Sequence, residues 1–431
     1  MRYEILESKP YLLGIDLEQP FPLGFGTLEK LPRVLFVIKG LDESGIVEGI
    51  GEASIDFPFS NYDAWDVYWA LSQLEIAGKN IEERENLLTN ERLRKALLDQ
   101  FPAAFTALNM ALDDLYGKMA KLSVLDIYGQ TRGGGKALAS ISFKENVSVL
   151  IEEINEKWRL GFVPKPKVGQ GLEADTETII AVDQYAEKEG INYVLDFNGQ
   201  YELQEFRHLI NNLLSKKIDF TRILFLEQPT SKKAGIEALT AVKDYLLEKG
   251  VRVPIIADES FVTIEDAKKC IENGLSLNFK IHKMGGLFYA REIETKLLEK
   301  MLGGNIVGGT FPTAIGRTYD QQAAAVLKST DLPGDGWEPS TDWFRGKKHL
   351  IKEQFSFDKK KGCFFPIRGN GLGITPNWRN INQFMIINPR LEYAKIRRGL
   401  PGEKIEITLK EEKNYPEVYR EIGGRDPDWN L

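Results

Sequence analysis

Past residue 137 the chain alternates short apolar runs with longer stretches whose apolar residues recur at helical spacing. The apolar runs cover 191–195, 222–226, 253–257 and 275–279, and the helix-like stretches cover 178–189, 205–217 and 236–249, with Lys or Gly at or just past their ends. Each run followed by its stretch reads as a βα unit. The last residues of the strand-like runs, Lys167, Asp196, Glu227, Asp258 and Lys280, recur at the spacing such a unit needs. Glycine-bounded turns at Gly308-Gly309 and Gly334-Asp335-Gly336 continue the series to seven or eight units. A parallel (β/α) barrel is the natural closure, with a doubly wound sheet as the structural alternative.

The first 133 residues have another texture. Residues 34–38 and 47–53 read as strands around a turn at 42–45, a hairpin, and 63–77, 90–99 and 102–121 read as helices. An α+β module therefore precedes the barrel. The tail from about 377 is charged and weakly periodic, with one strand-like alternation at 404–410.

Composition narrows the picture. Of 431 residues, 42% are hydrophobic and 28% charged, which places the chain among globular proteins. A net charge of −7 gives no broad positive field for a phosphate backbone, so nucleic acid is not expected as a partner. No uncharged apolar run reaches membrane-spanning length, and Met1-Arg2-Tyr3-Glu4 does not open a signal peptide; a cytoplasmic protein is expected. Cys270 and Cys363 are too far apart for a zinc spacing and read as reduced thiols. Gly369-Asn370-Gly371-Leu372-Gly373 lacks a βαβ context and reads as a turn, Gly133-Gly134-Gly135 as a linker. His208, His282 and His349 read as surface or helix-face residues.

The chemistry collects at the strand ends. Three successive runs close on acids: Leu195-Asp196-Phe197-Asn198, Leu226-Glu227-Gln228-Pro229 and Ala257-Asp258-Glu259-Ser260. For a single position, capping of the next helix is the ordinary explanation. Three on one barrel rim would repel one another, and a hard divalent cation, Mg²⁺ above all, suits three such oxygen donors. Two other strand ends carry lysine, in Val163-Pro164-Lys165-Pro166-Lys167 and Asn278-Phe279-Lys280. The two-residue strand period puts Lys165 and Lys167 on one side, where each ammonium disfavours protonation of the other. A metal flanked by lysines suits removal of a proton beside a carboxylate.

These residues resemble the enolase superfamily in its muconate-lactonizing-enzyme subgroup. Phe25-Gly26-Thr27 and Gly51-Glu52-Ala53 are similar to its capping-domain motifs, residues 111–118 to the helix leading to its barrel, and Lys283-Met284-Gly285-Gly286 to the turn after its last catalytic strand. The resemblance implies a modified (β/α)8 TIM-type barrel under an α+β N-terminal capping domain, divided as 1–133, 134–350 and a returning segment with tail at 351–431. It also implies Lys167 and Lys280 as the acid/base pair, Lys165 as the lysine that tunes them, and Asp196, Glu227 and Asp258 as ligands of Mg²⁺, with Mn²⁺ as a substitute. Asn198 and Glu259 would support the ligands, and Phe25, Thr27, Thr310 and Asp335 would meet a small carboxylate substrate.

The stretch Gly308-Gly309-Thr310-Phe311-Pro312 through Arg317, and Leu332-Pro333-Gly334-Asp335-Gly336, resemble o-succinylbenzoate synthases and N-acylamino acid racemases. Pro312 stands where those relatives carry Glu, Gly336-Trp337-Glu338 departs from their apolar-Ser continuation, and the Asp-x-Asp of dipeptide epimerases is missing near Asp335. The expected activity is racemisation or epimerisation of an N-acylated amino acid or similar acid. The alternatives are an o-succinylbenzoate-synthase-type dehydration, a dipeptide epimerase, and an inactive ligand-binding barrel. Assembly into a homo-oligomer is expected by analogy.

Overall fold

The computed structural model describes residues 3–23, 26–43, 45–55, 60, 62–297, 304–335 and 348–386; of 19–23 and 26–29 it describes the backbone alone. β1 (Glu4–Leu23), β2 (Gly26–Asp42) and β3 (Gly45–Ala53) form an antiparallel sheet in that order. Alternation along β2 sends Val34, Phe36 and Ile38 into a core shared with the helices that follow, and Leu35 and Val37 into the larger core. The helix Pro102–Ala120 starts with proline at its first position, where no backbone bond is lost, and lies on β3. Gly49 and Gly51 permit that approach, since a methyl at either would land on the carbonyl of Ala111 or Ala107.

The second part carries the parallel strands. β4 (Gly135–Lys136) pairs instead with β12 (Cys363–Phe365), which pairs with β11 (Ser356–Asp358), so the expected Gly133-Gly134-Gly135 linker ends in a short strand. β5 (Leu138–Ile141) runs parallel to β6 (Val163–Pro166), and β7 (Tyr193–Asp196), β8 (Ile223–Glu227), β9 (Ile255–Ala257) and β10 (Ser276–Leu277) form a second parallel sheet. Helices Leu172–Glu189, Leu203–Ser215 and Gly235–Glu248 follow β6 to β8, as the periodicity predicts, and a further helix, Ile264–Glu272, follows β9. The regular ladders are open. Single parallel bridges extend them at Lys167–Asp196, Asn278–Ile306 and Ala137–Gly334, and the Asp335 amide donates to the Val307 carbonyl at 3.0 Å.

Alternate residues of these strands face different cores. Leu138, Val194, Phe225, Ile256 and Ile306 form a small cluster of their own with Val163 against it, whereas Tyr193, Leu195, Leu226 and Ile255 join the core that includes the helices. The inner cluster sets the site, because the next residue of the same parity on each strand points the same way.

The first part docks on the second around residues 310–316. The Arg33 guanidinium donates to the carbonyls of Thr310 (3.0 Å) and Phe311 (2.7 Å). Buried Glu52 accepts from the amides of Thr313 (2.7 Å) and Gly316 (2.9 Å), capping the helix Ala314–Val326 from outside. Among the described residues no helix is long and apolar enough to cross a membrane. The Gly369–Gly373 stretch is a turn, with Gly371 at φ +62° hydrogen-bonded to Leu122 and Val124. His208 and His349 are exposed, but His282 is not a surface residue: it lies 1% exposed in the short helix Ile281–Met284, under Gly316.

Candidate active site

Two residues beyond Val163, Val194, Phe225 and Ile256 stand Lys165, Asp196, Glu227 and Asp258. The strand period therefore delivers one lysine and three acids to one end of the inner cluster. All four are buried. In a parallel arrangement these strand ends share a rim, where βα loops build active sites.

Lys165 sits among carboxylates. Its ammonium lies 2.6 Å from Asp335 Oδ2, 2.8 Å from Glu227 Oε2 and 3.3 Å from Asp196 Oδ2. Burial disfavours its charge, but the three acids outweigh burial and hold its pKa well above the ordinary lysine value. Lys165 thus stays charged and is not a base. The other oxygen of Glu227 accepts from Asn278 Nδ2 at 2.8 Å, and that of Asp335 from Ser140 Oγ at 2.9 Å. Burial would raise Asp335, yet Lys165 and Ser140 keep it below its usual value.

Asp258 is gripped from the other side. Lys280 Nζ lies 2.6 Å from its Oδ2, and Lys283 Nζ lies 2.8 Å from its Oδ1 and 2.6 Å from its backbone oxygen. Burial pushes this carboxyl up, and the two lysines together override burial and hold it below the carboxylate range. Asn198, at φ +44°, donates its backbone N–H to Asp196 Oδ1 at 3.0 Å. Glu259 has a sealed Oε2 with no hydrogen bond among the described residues, and burial followed by the charge of Asp258 raises it to about 7. Glu227 rises to about 8, through burial and the charges of Asp196 and Asp258 against the opposing pull of Lys165.

Lys167 is half-buried at the end of β6, and among the described residues its ammonium has no hydrogen-bond or ion-pair partner. Thr310 faces the first part of the chain: its hydroxyl donates to the Ser54 carbonyl at 3.3 Å, and its own carbonyl accepts from Ser54 Oγ at 2.6 Å. Phe25 and the side chain of Thr27 lie outside the described residues, as do Trp337, Glu338 and the strand-like stretch at 404–410.

Among the described residues no three acidic, His or Cys side chains are gathered as a metal cluster; ammonium groups lie on oxygens of Asp196, Glu227 and Asp258. The charge count nevertheless suits a cation. Five carboxylates (Asp196, Glu227, Asp258, Glu259 and Asp335) share the rim with three lysines bonded to them (Lys165, Lys280 and Lys283). With every carboxyl ionised these groups would carry an excess of two negative charges; without a cation, Glu227 at about 8 and Glu259 at about 7 take up protons instead. A hard divalent ion carries that charge and prefers these donors.

Sequence reasoning missed two groups that complete the rim. Asn278 was legible as a polar residue two positions before Lys280, on the same face. Gln228 carried no signal beyond following Glu227.

Comparison with known proteins follows the same lines. Residues 152–380 match the family described as "Enolase C-terminal domain-like". The chain is 24% identical over 332 residues to an o-succinylbenzoate synthase of Listeria innocua, covering 74% of this chain and 81% of that protein. It is 26% identical over 380 residues to an N-succinylamino acid racemase of Thermus thermophilus, covering 87% and 95%. A dipeptide epimerase of Enterococcus faecalis, solved with Mg and the dipeptide L-Leu-L-Tyr, superposes with a TM-score of 0.73 at 23% identity, over 86% of this chain and 99% of that one. At that identity the superposition establishes the fold, a capping domain on a TIM-type barrel.

Proposed function

The chain belongs to the enolase superfamily, and we propose that it is the enzyme of that superfamily that the rim suggests: one that removes the α-proton of a small carboxylate with the help of Mg²⁺. Asp196, Glu227 and Asp258 would hold the ion, with Mn²⁺ able to replace it. The bound ion supplies positive charge for the substrate carboxylate and for the negative charge that develops when the α-proton leaves. The observation that carries this reading is the meeting of buried Asp196, Glu227 and Asp258 at one end of the inner cluster, where burial and the charges of Asp196 and Asp258 raise Glu227 to about 8 in the absence of a cation.

The side chains divide the remaining work. Lys167, with its ammonium free of partners among the described residues, exchanges a proton with the substrate carbon. Lys280, 2.6 Å from Asp258 Oδ2, would be the second acid/base group, facing the substrate carbon from the other side. Lys165 is too firmly ion-paired for either task and holds its charge among the three acids. Thr310 shapes the rim through the Ser54 contact, and Asp335 acts through Lys165, while Phe25 and Thr27 would cover the substrate. The sequence divides as 1–133, cap; 134–350, a modified (β/α)8 barrel; and 351–431, the returning segment and tail.

Two lysines on opposite faces suit racemisation or epimerisation, and we assign that reaction on an N-acylated amino acid or similar acid. Dehydration of the o-succinylbenzoate synthase kind needs the same rim and is favoured by the relatives that carry that name. Incubation of candidate acids in D₂O with Mg²⁺ separates the two. Deuterium entering the α-carbon of an otherwise unchanged molecule supports the isomerase, loss of water supports the lyase, and neither with any N-acylated amino acid or β-hydroxy acid overturns the assignment.

A further inference from the structure

Each of the three acids on the rim comes from a different strand, and one residue is hydrogen-bonded to all three of their loops. Gln228 follows Glu227 directly, is fully buried and sits at φ +38°, a region that side chains other than glycine seldom enter. Its backbone carbonyl accepts from the amide of Gly199, in the loop after Asp196, at 2.8 Å, and its own amide donates to Ile256 at 2.9 Å. Its side-chain Oε1 accepts from the amides of Asp258 (2.9 Å) and Ser260 (3.2 Å). Its Nε2 donates to Ser260 Oγ (2.7 Å) and to the Thr230 carbonyl (2.9 Å).

The unusual φ and these bonds explain each other. From that turn the side chain reaches the β9 loop, where Oε1 meets the Asp258 and Ser260 amides and Nε2 meets Ser260 Oγ and the Thr230 carbonyl. Among the described residues the Asp258 and Ser260 amides have no other hydrogen-bond acceptor than Gln228 Oε1. Without it both donors would be buried and unpaired, and the loop that aims Asp258 would be free to turn.

We infer that Gln228 is a positioning residue: its side chain fixes Asp258 relative to Glu227 and Asp196, and so sets the spacing of the oxygens offered to a cation. The last consequence rests on the metal site proposed above; the clamp on Asp258 and Ser260 does not.

Two variants of the full chain test it. Gln228→Gly relieves the backbone while removing the clamp. Gln228→Glu keeps an oxygen for the Asp258 and Ser260 amides. Residue-resolved amide hydrogen exchange is expected to rise at least tenfold at Asp258 and Ser260 in Gln228→Gly, with the helix Ala314–Val326 unchanged, and to return to within threefold of the parent in Gln228→Glu. Mg²⁺ affinity by calorimetry is expected to fall at least tenfold in Gln228→Gly. Parent-like exchange at both amides in Gln228→Gly would overturn the inference. So would an equal rise across the helix Ala314–Val326, or a Gln228→Glu variant no better than Gln228→Gly. A parent chain that binds no Mg²⁺ contradicts the metal site itself, and the exchange data alone then decide the clamp.

Discussion

Replacing Lys165 by methionine tests the electrostatics of the rim most severely. The side chain is 1% exposed, and its ammonium is shared by Asp335, Glu227 and Asp196 at 2.6, 2.8 and 3.3 Å. Methionine keeps most of the apolar stem and removes the charge, leaving three buried carboxylates facing one another. Breaking a buried ion pair by deleting one partner costs about 3–5 kcal/mol. A cation that binds only the folded chain stabilises parent and variant alike, each by about 2.7 kcal/mol at a hundred times its own Kd. The variant binds it more tightly than the parent, since the ion supplies charge that Lys165 no longer provides. Urea unfolding in EDTA should therefore show a loss of about 3–5 kcal/mol for Lys165→Met, and saturating Mg²⁺ should narrow the gap by about 1.4 kcal/mol for every tenfold by which the variant binds the ion more tightly than the parent. A gap below about 1 kcal/mol in EDTA, the size of an exposed pair, would refute the buried-charge account. A gap unchanged by Mg²⁺ would refute the link between rim charge and cation.

Other consequences are independent of that one. Lys167→Ala and Lys280→Ala should each lower interconversion of enantiomers by about 10²–10⁴-fold, while each retains deuterium exchange with only one enantiomer; a variant that exchanges both is not missing an acid/base residue. Lys167→Ala should also unfold within about 0.5 kcal/mol of the parent, because its ammonium has no partner among the described residues. Asp320 is raised by burial to about 7, against the pull of Arg317. Its folded pKa lies above the unfolded value, so between roughly pH 4 and 7 the folded chain keeps a proton the unfolded chain has lost, and stability from this group falls as pH rises. Asp320→Asn should flatten the pH dependence of the urea midpoint across that window; parallel profiles would contradict the assignment. Gly51→Ala drives a methyl onto the Ala107 carbonyl and should cost at least about 1–3 kcal/mol, read as a lower urea midpoint.

Much of the second half of the chain was legible. Buried parallel strands read as apolar runs, and β6 to β9 each ended at or within one residue of the expected end, β7 to β9 at or beside an acid, while β10 stopped three residues short of Lys280. The period of two then carried Lys165, Asp196, Glu227 and Asp258 to one side without any knowledge of tertiary structure. What escaped has equally physical reasons. β1 runs through Pro10, Gly14, Pro20 and Pro22, which break the alternation that marks a strand, and β4 and β10 are two residues long, too short for any pattern. Asp335 was expected against substrate, but the partner of a buried acid depends on which strands become neighbours, and the structure pairs it with Lys165. The burial of His282 depends on Gly316 covering it, a contact between segments 34 residues apart. Gln228 was invisible because its role lies in an unusual φ, which residue type does not announce.

The central claim is that Asp196, Glu227 and Asp258 together hold a divalent ion between two lysines. A crystal structure of the chain grown with Mg²⁺ tests it most directly. The account predicts an ion about 2.0–2.1 Å from an oxygen of each of the three, with the Lys280 ammonium withdrawn from Asp258 Oδ2 and Lys165 still on Asp335. An ion bound elsewhere, or Lys280 still on Asp258 Oδ2 at saturating Mg²⁺, would contradict it.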